Sequence, residues 1–366
     1  MKASGYQLFW MVSISSIIVI SYIPIRFALA SSKQDAWISM LLGSLLMMAV
    51  TWLMLRICKQ HERQTFVRFV QAVFGSAVGK LVVAVYFVFW FVQMALIAKD
   101  MANFHNLVML HETPMSVIVA CMLFLVAFAV HRGGLTAVSR CAEVIGPVFV
   151  CILYVQLFLN PQDMNVKRIL PIYVDTGWQA ILQGALGCYP FLVDPSIILM
   201  LYYFAENKKT ASRAILWGTG VAMVWGILTA MVLLFVTGPE LATSLVVPVY
   251  SLTKFVTILN FIQNIDAFYI PLWLLGAFVK LSVGLFILSY GLSEWTGFKN
   301  WRAIAWALGI ALFVVVMYGS HDVRIENVLK SDYERHYLYP FLYALVPLLV
   351  WAIGGIRKRR STDGLP

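Results

Sequence analysis

The sequence predicts an all-α integral membrane protein: ten transmembrane helices in a five-plus-five inverted repeat, with helices one and six broken. Three observations predict it. The 366-residue chain is 61% hydrophobic and only 12% charged, where a soluble domain carries about a quarter charged residues. Its apolar runs are long and continuous, unlike the short alternating strands of an outer-membrane barrel, and each is near the length a helix needs to cross the hydrocarbon core. Two of these runs are interrupted. One reads SIIVISYIPIRFALA, with Pro24 and Arg26 in its later part. The other, GALGCYPFLVDPSIILMLYYFAE from Gly184 to Glu206, carries Pro190, Asp194 and Pro195. Proline removes a helix hydrogen bond, and an intramembrane carboxylate must face protein or water. Broken spans in corresponding places of two halves point to a substrate site between them.

Span one covers about Tyr6 to Ala30. The ALA before Ser31 mimics a signal-peptide cleavage site, but the apolar run is longer than a usual signal core and only Lys2 precedes it. It is therefore read as a span. Span two covers about Ala36 to Ile57, span three Leu81 to Phe104, span four Met115 to Val130 and span five Val144 to Leu159. Span six is Gly184 to Ala205, and span seven Ala214 to Val236. Spans eight, nine and ten are Ala267 to Tyr290, Trp301 to Tyr318 and Leu338 to Ile356. Pro248 and Lys254 interrupt Leu245 to Ile262, which reads as an interfacial helix outside the spans. The outward connections Asn160 to Gln183 and Thr237 to Asp266 are long, and Gly177 to Leu182 reads as a short surface helix within the first. Residues 1–159 and 184–356 form the two halves. Span six then corresponds to span one, and an odd number of helices per half makes the repeat inverted.

Charge supports this count. The net charge is +10, yet Lys and Arg sit in short gaps between spans rather than on one solvated face, which excludes a nucleic-acid surface. Arg56, Lys59, Arg63, Arg68 and Lys80, then Arg132 and Arg140, Lys208, Lys209 and Arg213, and Arg357 to Arg360 all fall on one side. This is the positive-inside pattern, with both termini cytosolic. The five cysteines, Cys58, Cys121, Cys141, Cys151 and Cys188, have no paired spacing and read as small buried hydrophobes without disulfides or metal. Phosphate loops, nucleophile elbows and zinc motifs are absent from the sequence, so neither an enzyme nor a cofactor is expected. Trp37, Trp178, Trp301 and Tyr337 to Tyr343 read as the interfacial aromatic belt.

The candidate ligand-binding residues follow from the breaks. In Asp194-Pro195-Ser196 the acid sits at an N-cap position and Pro195 at the first helical position. Asp194 thus has two readings, a cap alone or a cap that also meets solute. Cys188, Tyr189, Pro190 and Phe191 are expected to form the unwound turn, with Gly184 and Gly187 allowing close backbone approach. Tyr22 and Pro24 hold the matching places in span one, where Arg26 reads as snorkelling to the outer surface. Trp90 and Gln93 lie near mid-depth in span three, with Lys99, Asp100, Asn103 and His105 toward its outer end. Lys280 sits inside the apolar run of span eight and needs a partner or a wet path. It either holds a helix by charge in place of a bound ion, or packs and snorkels. Glu143 is expected where span five enters.

The stretch QDAWISMLLG after a span with a late proline is similar to a hallmark of the spore germination permeases. These are the B subunits of GerA-type nutrient germinant receptors of endospore-forming bacteria. LPIYVDTGWQAILQGA, Leu170 to Ala185, and NIDAFYIPLWLLGAFVKLSVGLF, Asn264 to Phe286, strengthen the resemblance, which covers essentially the whole chain. It implies the LeuT-like core of the amino acid–polyamine–organocation superfamily, an inner spore membrane location, A and C subunits as partners, and a small nutrient as ligand. Where that family commonly has Gly-Glu in span six, this chain reads Val193-Asp194, keeping the acid with a shorter reach. A germinant receptor subunit is the first reading, and a secondary amino acid transporter the alternative.

Overall fold

A computed structural model describes residues 1–159, 161–192, 194–245, 247–254, 266–321 and 337–362. The end of the expected interfacial segment, 255–262, and the outward gap at 322–336 lie outside the described residues. The described elements are almost all helices. In order they are α1 (Gly5–Ile20), α2 (Ile23–Ser32), α3 (Ala36–Gln60), α4 (Phe66–Phe74), α5 (Ser76–Val108), α6 (Met115–Gln156), α7 (Gly177–Leu192), α8 (Pro195–Leu201), α9 (Lys208–Ser244), α10 (Pro248–Lys254), α11 (Asp266–Thr296) and α12 (Trp301–His321). A π-helical turn, Phe341–Leu345, leads into α13 (Val346–Thr362).

Among the described residues seven stretches are long and apolar enough to cross a membrane, and Gly5–Ile20 and Phe341–Gly355 are shorter apolar helices. Two of the long helices, α6 and α9, contain a kink. The 42 residues of α6 would span about 63 Å at 1.5 Å per residue, roughly twice the hydrocarbon core. They turn at Gly134, whose φ of 54° and ψ of −149° are non-helical. Glycine is required there, since an added Cβ would also lie 2.8 Å from Met1 Sδ. In α9 a second break falls at Gly238, before Pro239. These pieces accommodate the ten crossings expected from the sequence.

Both broken spans are present, at shifted positions. Span one breaks at Ser21–Tyr22, between α1 and α2, so Pro24 sits in the first turn of α2, where a missing N–H is harmless. Span six starts earlier than expected. Gly177 to Leu182 is the first part of α7 rather than a separate surface helix, and α7 runs through Pro190 to Leu192. The residues Cys188 to Phe191 are therefore helical, and the break lies between Leu192 and Pro195. Proline in the last turns of α7 loses one bond to the preceding turn, which packing of a buried helix end offsets. Span five begins just past Gly134, so Glu143 lies inside a helix, where Gln7 Nε2 donates to its Oε2 at 2.8 Å. Helix α4 was not expected. Thr65 caps it, and Phe66, Val67, Phe69, Val70 and Val73 make one buried face.

Of the five free cysteines, Cys58 and Cys188 are buried, whereas Cys121 and Cys151 are exposed on the helix surface. In hydrocarbon a thiol needs no burial, so only part of that expectation holds. Tyr339 and Tyr343 are also displaced from the expected belt. They are buried against Phe89, while Tyr337 and Trp178 are exposed.

Burial is graded from centre to edge. In the apolar windows of Gly177–Phe204 and Tyr269–Thr296, 82% and 83% of residues are buried, against 22% for Trp301–Gly319. The broken span six and α11 are thus the centre, and α12 faces lipid. Helices α2, α3 and α7 lock together at the end of the bundle away from the N-terminus, which the positive-inside pattern of the sequence makes the expected outer end. Gly184 faces Ser39, whose hydroxyl lies 2.7 Å from that of Ser32 and 2.9 Å from the carbonyl of Ile181. The carboxylate of Asp35, fully buried, accepts the backbone N–H of Tyr173 on both oxygens, at 3.2 and 3.0 Å, and the hydroxyl of Thr176. Gln34 Nε2 donates to Asp175 Oδ2 at 3.0 Å. At the inner side Ala3 pairs with the end of span six, its N–H on Phe204 O at 2.9 Å and its carbonyl accepting from Glu206 N at 3.0 Å. Lys208 Nζ donates to the carbonyls of Tyr202 and Tyr203 at 2.6 and 2.9 Å.

Two outcomes follow for stability. A Cβ at Gly184 would lie 2.6 Å from Ser39 Oγ, whereas one at Gly220 meets nothing nearer than 3.7 Å. Gly184→Val should lower stability by about 1–3 kcal/mol, read as a loss in thermal unfolding of purified protein, with Gly220→Ala close to neutral. Asp35→Ala should speed hydrogen exchange at the Tyr173 amide, while exchange in α12 stays unchanged.

Candidate functional site

Four helical elements meet at the break of span six. Pro195 opens α8 with Asp194 at the N-cap position (φ −99°, ψ 86°), but no backbone N–H reaches the Asp194 side chain. The expected capping is replaced by a side-chain relay. Trp90 Nε1, from α5, donates to Ser196 Oγ at 2.7 Å, and Ser196 Oγ donates to Asp194 Oδ1 at 2.5 Å. The reason is local. A buried indole N–H needs an acceptor, and a serine that accepts it has its own proton left to give. One step along α5, Gln93 Nε2 donates to Tyr339 Oη at 2.6 Å, and Tyr86 Oη donates to the carbonyl of Leu342 at 2.5 Å. These bonds seat the π-helical turn, a geometry that leaves carbonyls in need of outside partners and recurs at functional sites.

Lys280, on α11, is buried, with 6% of its surface exposed. It does not snorkel. Two small cavities are lined by both Lys280 and Asp194. The first, about 20 Å³, is lined by Met11, Val12, Ser15 and Ser16 of α1, by Asp194, Ile197, Ile198 and Leu201, and by Lys280 and Val283. The second, about 10 Å³, is lined by Trp90, Gln93, Met94 and Ile97 of α5, by Asp194 and Ile197, and by Lys280, Leu281, Gly284 and Ile287. Each has room for about one water. The hydroxyl of Ser15, on the first wall, is buried without a protein partner, as expected beside a hydrated pocket. An ammonium in hydrocarbon disfavours insertion by about 2.5–3.5 kcal/mol, and the nearby carboxylate with its cavities offsets this.

The structure thus brings Trp90, Gln93, Asp194 and Lys280 together. It does not bring Tyr22 and Pro24 to them. Tyr22 lies further out, 4.6 Å between ring centroids from Trp273, and Pro24 is packed in the first turn of α2. Tyr189 and Pro190 line neither small cavity, and Phe191 stacks on Phe27 at 5.8 Å and meets Tyr339 edge-on at 5.2 Å. The site residues missed in the sequence are Ser196, Ser15, Tyr86, Tyr339 and Tyr343. Ser196 follows the Asp-Pro pair directly, and its hydroxyl at a helix start was a signal. The tyrosines carried none, because tyrosine near a span end is ordinary.

Comparison with known proteins now bears on this arrangement. The profile of the family described as "Spore germination protein" matches residues 2–323. The chain belongs to the spore germination protein family. The putative spore germination protein YfkT of Bacillus subtilis (strain 168) is 26% identical over 358 residues, covering 96% of each chain. Spore germination protein KB of the same organism is 19% identical, covering 89% of this chain and 88% of its own. Among solved structures, a Na⁺-coupled sialic acid symporter in a substrate-bound outward-open state matches with a TM-score of 0.68 at 11% identity, covering 96% of this chain and 89% of that one. The nucleobase-cation-symport transporter Mhp1, closed with bromovinylhydantoin bound, matches at 0.56 with 13% identity, covering 97% and 90%. At such identities the likeness is one of fold: this family member has the LeuT-like fold of those transporters.

Asp194 and Lys280 should prove energetically coupled. Asp194→Asn and Lys280→Met should each lower thermal stability, and the double variant should lose less than the sum, with a coupling of about 1–3 kcal/mol. Strict additivity would mean that the two charges stabilise the core independently.

Proposed function

We propose that the protein is the membrane subunit of a spore nutrient germinant receptor, which binds a small nutrient, an amino acid by preference, between the broken spans and triggers germination. One observation carries the reading: in a chain of this family, a carboxylate and an ammonium face each other across water-sized cavities at the break of span six. Residues 1–159 and 184–356 form the two halves of an inverted repeat. Binding favours one of two packings of the helices, and that difference passes to A and C subunits in the inner spore membrane. Both termini lie in the cytosol. The protein performs no chemistry on its ligand and needs no cofactor.

The second reading is a secondary amino acid transporter. It is favoured by the solved neighbours, which are transporters that carry a solute across the membrane, and the same site supports alternating access. Vesicles holding the purified chain separate the two. Saturable binding of a labelled amino acid without accumulation supports the receptor, and accumulation supports the carrier.

For the pocket itself, Asp194→Ala and Lys280→Met should abolish the germination response of spores at normal protein level. A normal response in both variants would overturn the assigned pocket.

A further inference from the structure

The cavities beside Asp194 and Lys280 hold about one water each, too little for any nutrient. The larger polar-walled space lies further out. It measures about 270 Å³, against about 20 and 10 Å³ for the inner cavities, and is lined by Tyr22, Ile23, Arg26, Phe27, Ala30, Asp100 and Thr243. Its walls come from α2, from the outer end of α5 and from the outer end of α9. An aromatic layer separates it from the inner cavities. Tyr22 and Phe104 both pack on Trp273, at 4.6 and 4.5 Å, and Phe27 stacks on Phe191. A solute arriving from the outer side meets this space first.

The geometry points to a vestibule site for a zwitterionic amino acid, with the Arg26 guanidinium as the anchor of its carboxylate. Arg26 is exposed and lines the cavity. Its planar fork matches a carboxylate with two parallel bonds. Asp100 sets the opposite sign on the far wall. Since it already makes an interaction within the protein, Arg26 carries the assignment and Asp100 only favours an ammonium there. A second observation is independent of charge. The hydroxyl of Tyr22 is buried and has no protein partner, and Tyr22 forms part of this wall, so a bound polar group would satisfy it. Ile23, Phe27 and Ala30 supply an apolar patch for a small side chain. Phe27, on this wall, stacks on Phe191 just before the break of span six.

The inference takes its ligand class from the nutrient-sensing reading, but the place of binding is tested separately. The full chain carrying Thr243→Cys is reconstituted in nanodiscs, and its modification by a maleimide is followed by peptide mass spectrometry, which distinguishes the native cysteines. The probes are the proteinogenic amino acids, each at millimolar concentration, and their carboxamides, which keep the ammonium and lose the carboxylate. At least one free amino acid should slow modification several-fold. Its amide should not, Arg26→Gln should remove the protection, and Arg26→Lys should restore only part of it. Absence of protection by every amino acid, equal protection by an amide, or full protection in Arg26→Gln would overturn the vestibule site. Arg26-dependent protection with a normal spore response in Asp194→Ala and Lys280→Met would leave this site standing and remove the inner pocket. No protection with a response lost in Asp194→Ala would do the reverse.

Discussion

A helix that breaks within hydrocarbon must hide its loose backbone groups in protein or in a hydrated cavity. Two spans of this chain break, and much of the remaining architecture surrounds those breaks. The break in span six lies at the centre of the bundle, faced by α5, α11 and the π-helical turn. Asp194 falls at that break and Lys280 opposite it on α11. Both line the same two water-sized cavities, and a charge within hydrocarbon needs such a polar or hydrated surrounding. The same demand explains the relay from Trp90 through Ser196, since each buried polar atom needs a bond.

The outer and inner ends of the broken spans are held by different means. Outside, α2, α3 and α7 form one packed block, with Gly184 against Ser39 and the buried carboxylate of Asp35 clamping Tyr173 and Thr176. Inside, the pairing of Ala3 with Phe204 and Glu206 and the bonds from Lys208 tie the start of span one to the end of span six. Each broken span therefore has an outer half in one block and an inner half in another, with the weak backbone between them. That division lets a solute at the breaks alter the relation of the two ends, the requirement shared by a receptor and a carrier.

The space available is divided in the same way. Water-sized cavities lie at the charged centre, and a larger vestibule lies beyond an aromatic layer built from Tyr22, Phe27, Phe104, Phe191 and Trp273. Two of the stretches that resemble the family, Gln34 to Gly43 and Leu170 to Ala185, meet in space through Asp35, Gln34 and Ser39. The third, on α11, carries Lys280 of the charged centre.

Composition and hydropathy alone determined that the chain is helical and lies in a membrane, because length and apolarity leave a bilayer few other solutions. Proline and charge inside apolar runs also made both broken spans legible, and with them Asp194, Lys280, Trp90 and Gln93 as residues of interest. Local signals misplaced the break, since Pro190 reads as a helix breaker yet its helix continues to Leu192 under tertiary packing. They also missed Ser196, Tyr339 and Tyr343, placed Tyr22 at the same site as Asp194, and read Arg26 as snorkelling to the surface. Which side chains share a cavity depends on helix rotation and on contacts between residues more than a hundred positions apart, such as Trp90 with Ser196 and Gln93 with Tyr339. No periodicity within one span encodes such contacts, so only the packed bundle decided them.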